Sequence, residues 1–217
     1  MNTVRINFHK TGVACYFSHL DLQRVMTRAL KKSGLPVWYS LGYNPRIYLT
    51  FALPLTLGHE SICESFDFRL NEELDEAFIL NALKGTLPEG VELISAGKPT
   101  FEAGQIFWAK YRITLFDELE KVEKSLSEYM DTQVATVTKS TKKGNKDINL
   151  KEFVKLIDIT NSKDKELTFT AVFAAGTQMN LNPNLFLEYL SASYGIKTLD
   201  AFVRREQLLD ENMDILQ

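Results

Sequence analysis

The chain has 217 residues, 45% of them hydrophobic and 24% charged, with a formal net charge of −3. That length accommodates two domains of about 100 residues, each able to bury a small core, and its apolar runs fall far short of the ~18 residues that a membrane helix needs. Cys15 and Cys63 are too few for a disulfide framework or a zinc ribbon, and the N-terminus enters a strand pattern without signal-peptide segments, so the expected compartment is the reducing cytoplasm.

The first element alternates Val4, Ile6 and Phe8, then shifts parity after Thr11-Gly12 to Val13, Cys15 and Phe17, which predicts a bulge or tight turn within a strand. Ser18 is an N-cap candidate with Asp21 three residues on. The stripe Leu22, Val25, Met26, Ala29 and Leu30 predicts a helix that Gly34 and Pro36 stop. Its opposite face carries Arg24, Arg28, Lys31 and Lys32. A short strand is expected at 37–39, then a loop Gly42-Tyr43-Asn44-Pro45-Arg46, then an apolar stretch broken by Pro54 and Gly58.

The next strand alternates Ile62, Glu64, Phe66, Phe68 and Leu70, so the even positions form the expected buried face and Glu64 is its one charged member. Asn71 is placed as the cap of a second helix reaching about Lys84, and a strand follows at 91–94. The order β-α-β-β-α-β predicts a ferredoxin-like module over residues 1–98.

After a weakly periodic segment around Pro99, a second α+β module is expected over 105–217. It begins with a strand through Tyr111, Ile113 and Leu115 and a helix opened by Asp117. A strand at 134–139 runs into the polar loop Lys142-Lys143-Gly144-Asn145-Lys146. Strands at 153–160 and 167–173, a helix after Pro183 and a strand at 202–203 complete it. The fold class is therefore α+β: two ferredoxin-like (βαββαβ) modules with antiparallel sheets, the second with an extra strand.

Charge is uneven. Residues 1–59 hold seven basic residues and one acid, Asp21, whereas residues 60–100 hold nine acids and three basic residues. Such asymmetry fits either a polyanion-facing surface or an electrostatic match between neighbouring elements.

Three segments carry a family resemblance: Phe17-Ser18-His19-Leu20-Asp21-Leu22, Arg28 through Pro36, and Tyr39-Ser40-Leu41-Gly42-Tyr43-Asn44-Pro45. They resemble the radical SAM-linked protein family, bacterial domains fused to or encoded beside radical SAM proteins. After Asn44-Pro45 this chain has Arg46-Ile47-Tyr48, where that family often continues with His-Pro. The resemblance implies a separate radical SAM protein as partner, and its usual gene neighbours imply RNA or the ribosome as the setting.

The chain itself lacks the three clustered cysteines of a radical SAM centre, so no cofactor and no metal are expected. Both cysteines read as small buried thiols in strands. A catalytic reading needs His19, Glu64 and Asp67 to converge as acid and base; the structural reading pairs Glu64 with Arg24 or Arg28. The binding reading, preferred over catalysis by the chain itself, uses Arg24, Arg28 and Lys31 on one helix face. If the Asn44-Pro45 turn brings Arg46 beside them, four cations line a groove with Tyr43 available for stacking, and Lys142 and Lys143 add charge in the second module. A purely structural partner-binding domain is the remaining alternative.

Overall fold

The computed structural model describes residues 2–141 and 144–216, so Lys142 and Lys143 lie outside the described residues. The chain divides into two compact units, the first running to Gln105 and the second covering Ile106–Ile215.

In the first unit, β1 (Asn2–Lys10), α1 (His19–Lys32), β2 (Leu49–Phe51), β3 (Glu60–Leu70), α2 (Glu76–Leu83) and β4 (Val91–Gly97) follow one another. Phe68 of β3 pairs with Val4 of β1 and with Leu49 of β2, and β1 also pairs with β4. The strand order is thus β4-β1-β3-β2, antiparallel throughout, with two helices on one face: the ferredoxin-like arrangement. Val4, Ile6 and Phe8 join Phe66, Phe68 and Leu70 in a core closed by Leu22, Met26 and Leu30 of α1 and by Ile79 and Leu83 of α2.

Four local expectations are corrected. Gly12–Tyr16 is a 3-10 turn rather than a strand, so Cys15 is buried in a turn. Close packing forces it: Thr11 N–H donates to the Gly90 carbonyl at 2.8 Å, and a Cβ on Gly90 would sit 2.2 Å from the Thr11 oxygen. Ile62 is 38% exposed, because the β1–β3 register slips between Phe8↔Glu64 and Lys10↔Ser61. The bulge reverses side-chain parity and buries Ser61 instead. The second strand is Leu49–Phe51, while Val37 and Tyr39 make only isolated bridges, to Leu70 and Ile47. Asp75, not Asn71, caps α2, accepting from the Ala77 and Phe78 backbone N–H groups; the Asn71 side-chain Nδ2 instead donates to the Val37 carbonyl.

The second unit contains β5 (Trp108–Phe116), α3 (Leu119–Asp131), β6 (Thr136–Thr141), β7 (Gly144–Asn149), β8 (Val154–Lys163), β9 (Glu166–Ala174), α4 (Pro183–Tyr194) and β10 (Phe202–Leu209). Its sheet order, β10-β5-β9-β8, repeats the first unit's permutation. The addition is a two-stranded hairpin, β6–β7, inserted before β8, so two strands are added rather than one, and Asn145 and Lys146 lie in β7 rather than in a loop. Phe186 of α4 packs edge-on against Phe169 and Phe173 of β9 and Tyr129 of α3. Among the described residues no helix is long and apolar enough to cross a membrane.

Candidate nucleic-acid interface

Helix α1 starts where the sequence says it should. The Asp21 N–H donates to Ser18 Oγ at 3.2 Å and the Ser18 hydroxyl donates to the Asp21 carboxylate at 2.6 Å, which holds that carboxyl below its usual pKa. With Leu22, Met26, Ala29 and Leu30 buried, residues 24, 28 and 31 are turned to solvent.

The loop after α1 folds back onto this basic face. The Ser40 N–H donates to the Arg46 carbonyl at 2.8 Å, the Arg46 N–H donates to Ser40 Oγ at 2.9 Å, and Tyr39 bridges Ile47. Gly42, at φ +125°, supplies a turn that other residues resist. A groove of about 470 Å³ results, and Arg24, Arg28 and Lys31 of α1 line it together with Pro45, Arg46 and Ile47. Arg24 is paired with Asp21 at 3.2 Å. Arg28, Lys31 and Arg46 have no carboxylate partner among the described residues. Tyr43 and Asn44 are not in the groove wall; both are exposed on the same loop, Tyr43 at 99%. Three uncompensated cations beside an exposed ring have the chemistry to neutralise phosphates and stack a base.

The proposed catalytic constellation is not assembled. Glu64 lies opposite Phe8 and Asp67 opposite Arg5 in an unbroken stretch of register, three residues apart, so they occupy opposite faces of the sheet. His19 is exposed at the start of α1 with its ring 5.1 Å from that of Phe51. Glu64 is 3% exposed, on the face of α1 and α2. The partner of Arg24 is Asp21 rather than Glu64, because Arg24 points outward from the helix.

Sequence reasoning passed over Arg5. Treating Val4, Ile6 and Phe8 as the buried set assigns Arg5 to solvent, yet it is 4% exposed and bound to Asp67 through two hydrogen bonds of 2.7 and 2.9 Å. The only signal was a carboxylate of matching parity on a neighbouring strand. Among the described residues no group of three or more His, Cys, Asp or Glu side chains gathers to hold a metal ion.

Fold and groove together define an α+β protein of two ferredoxin-like units, one of which presents a cationic cleft. The chain belongs to the family described as "Uncharacterized protein conserved in bacteria (DUF2344)", which matches residues 3–183. No curated protein matches it in sequence. Among solved structures it is similar to a chain from the crystal structure of a Cbf5-Nop10-Gar1 complex, with 11% identity and a TM-score of 0.48 over 94% of this chain and 48% of that one. It therefore spans about half the length of that chain.

Proposed function

We propose that the first unit binds single-stranded RNA along the groove between α1 and the 40–47 loop, and that it does so as an accessory module to a separate radical SAM enzyme. One observation carries the binding reading: Arg28, Lys31 and Arg46, with Arg24 behind its Asp21 partner, converge on one cleft from two segments that the sequence separates. The radical SAM partnership rests on the family resemblance of the first 70 residues alone. Acid and base catalysis by His19, Glu64 and Asp67 is the weaker reading, since Glu64 and Asp67 lie on opposite faces.

Filter binding of a 12-nucleotide oligouridine by the full chain tests it. Three to four neutralised phosphates give a log-log salt slope of roughly −2 to −3, at about −0.7 per phosphate on a single strand. Arg28→Gln with Lys31→Gln is expected to flatten the slope by about 1.4 without lowering the melting temperature, because both side chains are exposed. A parent protein without measurable affinity, or an undiminished slope in the variant, overturns the assignment. Co-purification from the native host, with identification of bound protein and RNA, tests the partnership; recovery without any radical SAM protein counts against it.

A further inference from the structure

Arg5 of β1, Asp67 of β3 and Thr50 of β2 are direct partners across three strands, so their side chains share the face turned away from α1 and α2. Arg5 Nε and Nη2 donate to the two Asp67 oxygens, and the Phe101 ring covers the guanidinium at 4.3 Å from Cζ. Nη1, the third guanidinium nitrogen, is buried and has no acceptor among the described residues. These groups line a pocket of about 670 Å³ together with Tyr48 and Thr3, a volume within the ~300–1,000 Å³ of small-molecule sites. The Tyr48 ring is held in place by Arg69, whose Cζ lies 4.0 Å from its centroid.

We propose that this pocket receives a nucleobase, and specifically a base of the RNA strand whose phosphates the groove holds; the inference rests on that reading. Four observations converge. Tyr48, 37% exposed, offers aromatic surface to a planar ring. Asp67 uses one lone pair on each oxygen for Arg5, and each oxygen retains another to accept a base N–H. Nη1 is a charged donor without an acceptor among the described residues, a need that a base carbonyl or ring nitrogen would meet. Ile47 lines the groove and the next residue, Tyr48, lines the pocket, so one segment of the chain contributes to both sites. A simple anion is disfavoured, because Asp67 already offsets the charge of Arg5.

Free ribonucleosides carry no phosphate and probe the pocket separately from the groove. Saturation-transfer NMR with uridine, cytidine, adenosine and guanosine is expected to detect binding of at least one to the full chain. Thr50→Trp, at an exposed position that fills the pocket mouth, is expected to weaken it by about tenfold or more, whereas Arg28→Gln with Lys31→Gln leaves it unchanged. An abasic ribose-phosphate oligomer is expected to bind about tenfold more weakly than oligouridine of the same length. If Thr50→Trp lowers the melting temperature, Tyr48→Leu takes its place, removing a ring without adding bulk. The proposal is overturned if no nucleoside binds the parent, if binding survives the pocket variant, or if the abasic oligomer binds as tightly. Nucleoside binding in a protein whose oligonucleotide affinity ignores salt would instead uphold the pocket and remove the groove.

Discussion

Asp67→Ala is the perturbation whose cost follows most directly from the structure. Arg5 is 4% exposed, two of its nitrogens donate to Asp67 and the third has no acceptor. Removing the carboxylate leaves a buried guanidinium without any hydrogen-bonded counter-charge, and deleting one member of such a pair costs about 3–5 kcal/mol. Asp67→Asn keeps one oxygen as acceptor and is expected to cost about half as much. Replacing both partners, Arg5→Met with Asp67→Leu, removes the buried charge altogether and is expected to cost less than about 1.5 kcal/mol, since a buried pair often does no better than well-packed apolar groups. The assay is urea unfolding followed by fluorescence in a Trp108→Phe background, where Trp38 is the remaining tryptophan and reports the first unit. A loss below about 1 kcal/mol for Asp67→Ala, or a double variant as unstable as the single one, refutes the reasoning. If the double variant is stable, the pair contributes little net stability, which is the pattern expected of groups kept for binding.

The second unit offers a pH-dependent test. Asp117, 6% exposed, accepts from the Lys197 and Glu118 amides at 2.9 Å each and from Lys121, and the Lys197 amide foremost holds its carboxyl below the usual range. A depressed folded-state pKa stabilises above the unfolded value of about 3.9 and loses that contribution as pH falls through the folded value. Asp117→Ala is expected to cost about 1–3 kcal/mol at pH 7, with the gap to the parent constant down to about pH 4 and narrowing below; a gap that widens in acid contradicts the assignment. In the first unit, Gly90→Ala adds a Cβ 2.2 Å from the Thr11 carbonyl at φ +83°. It is expected to lower the melting temperature of that unit more than Gly34→Ala, where φ is +72° but nothing lies within 4 Å; equal losses would show that backbone conformation alone decides.

What the sequence determined by itself was local and periodic. Ser18, the 22–30 stripe and Gly34 specify α1 because capping and a 3.6-residue repeat act within one segment, and the succession of elements was enough for two βαββαβ units. The cationic face of α1 followed from the same spacing. The tertiary structure alone decided which strand was β2, where β3 slips, and that Arg5 is buried, since these depend on register between segments far apart in the chain, as Arg5 and Asp67 are at 62 residues. Glu64 and Asp67 looked like neighbours in the chain, and the two-residue period of β3 sends them to opposite faces. Arg46 reaches Arg28 and Lys31 only because Ser40 and Gly42 close the loop back on α1, and the pocket arises only where β1, β2 and β3 bring Arg5, Thr50 and Asp67 into one row. Local chemistry writes each element, whereas a site assembled across strands exists only once long-range pairing has set the register.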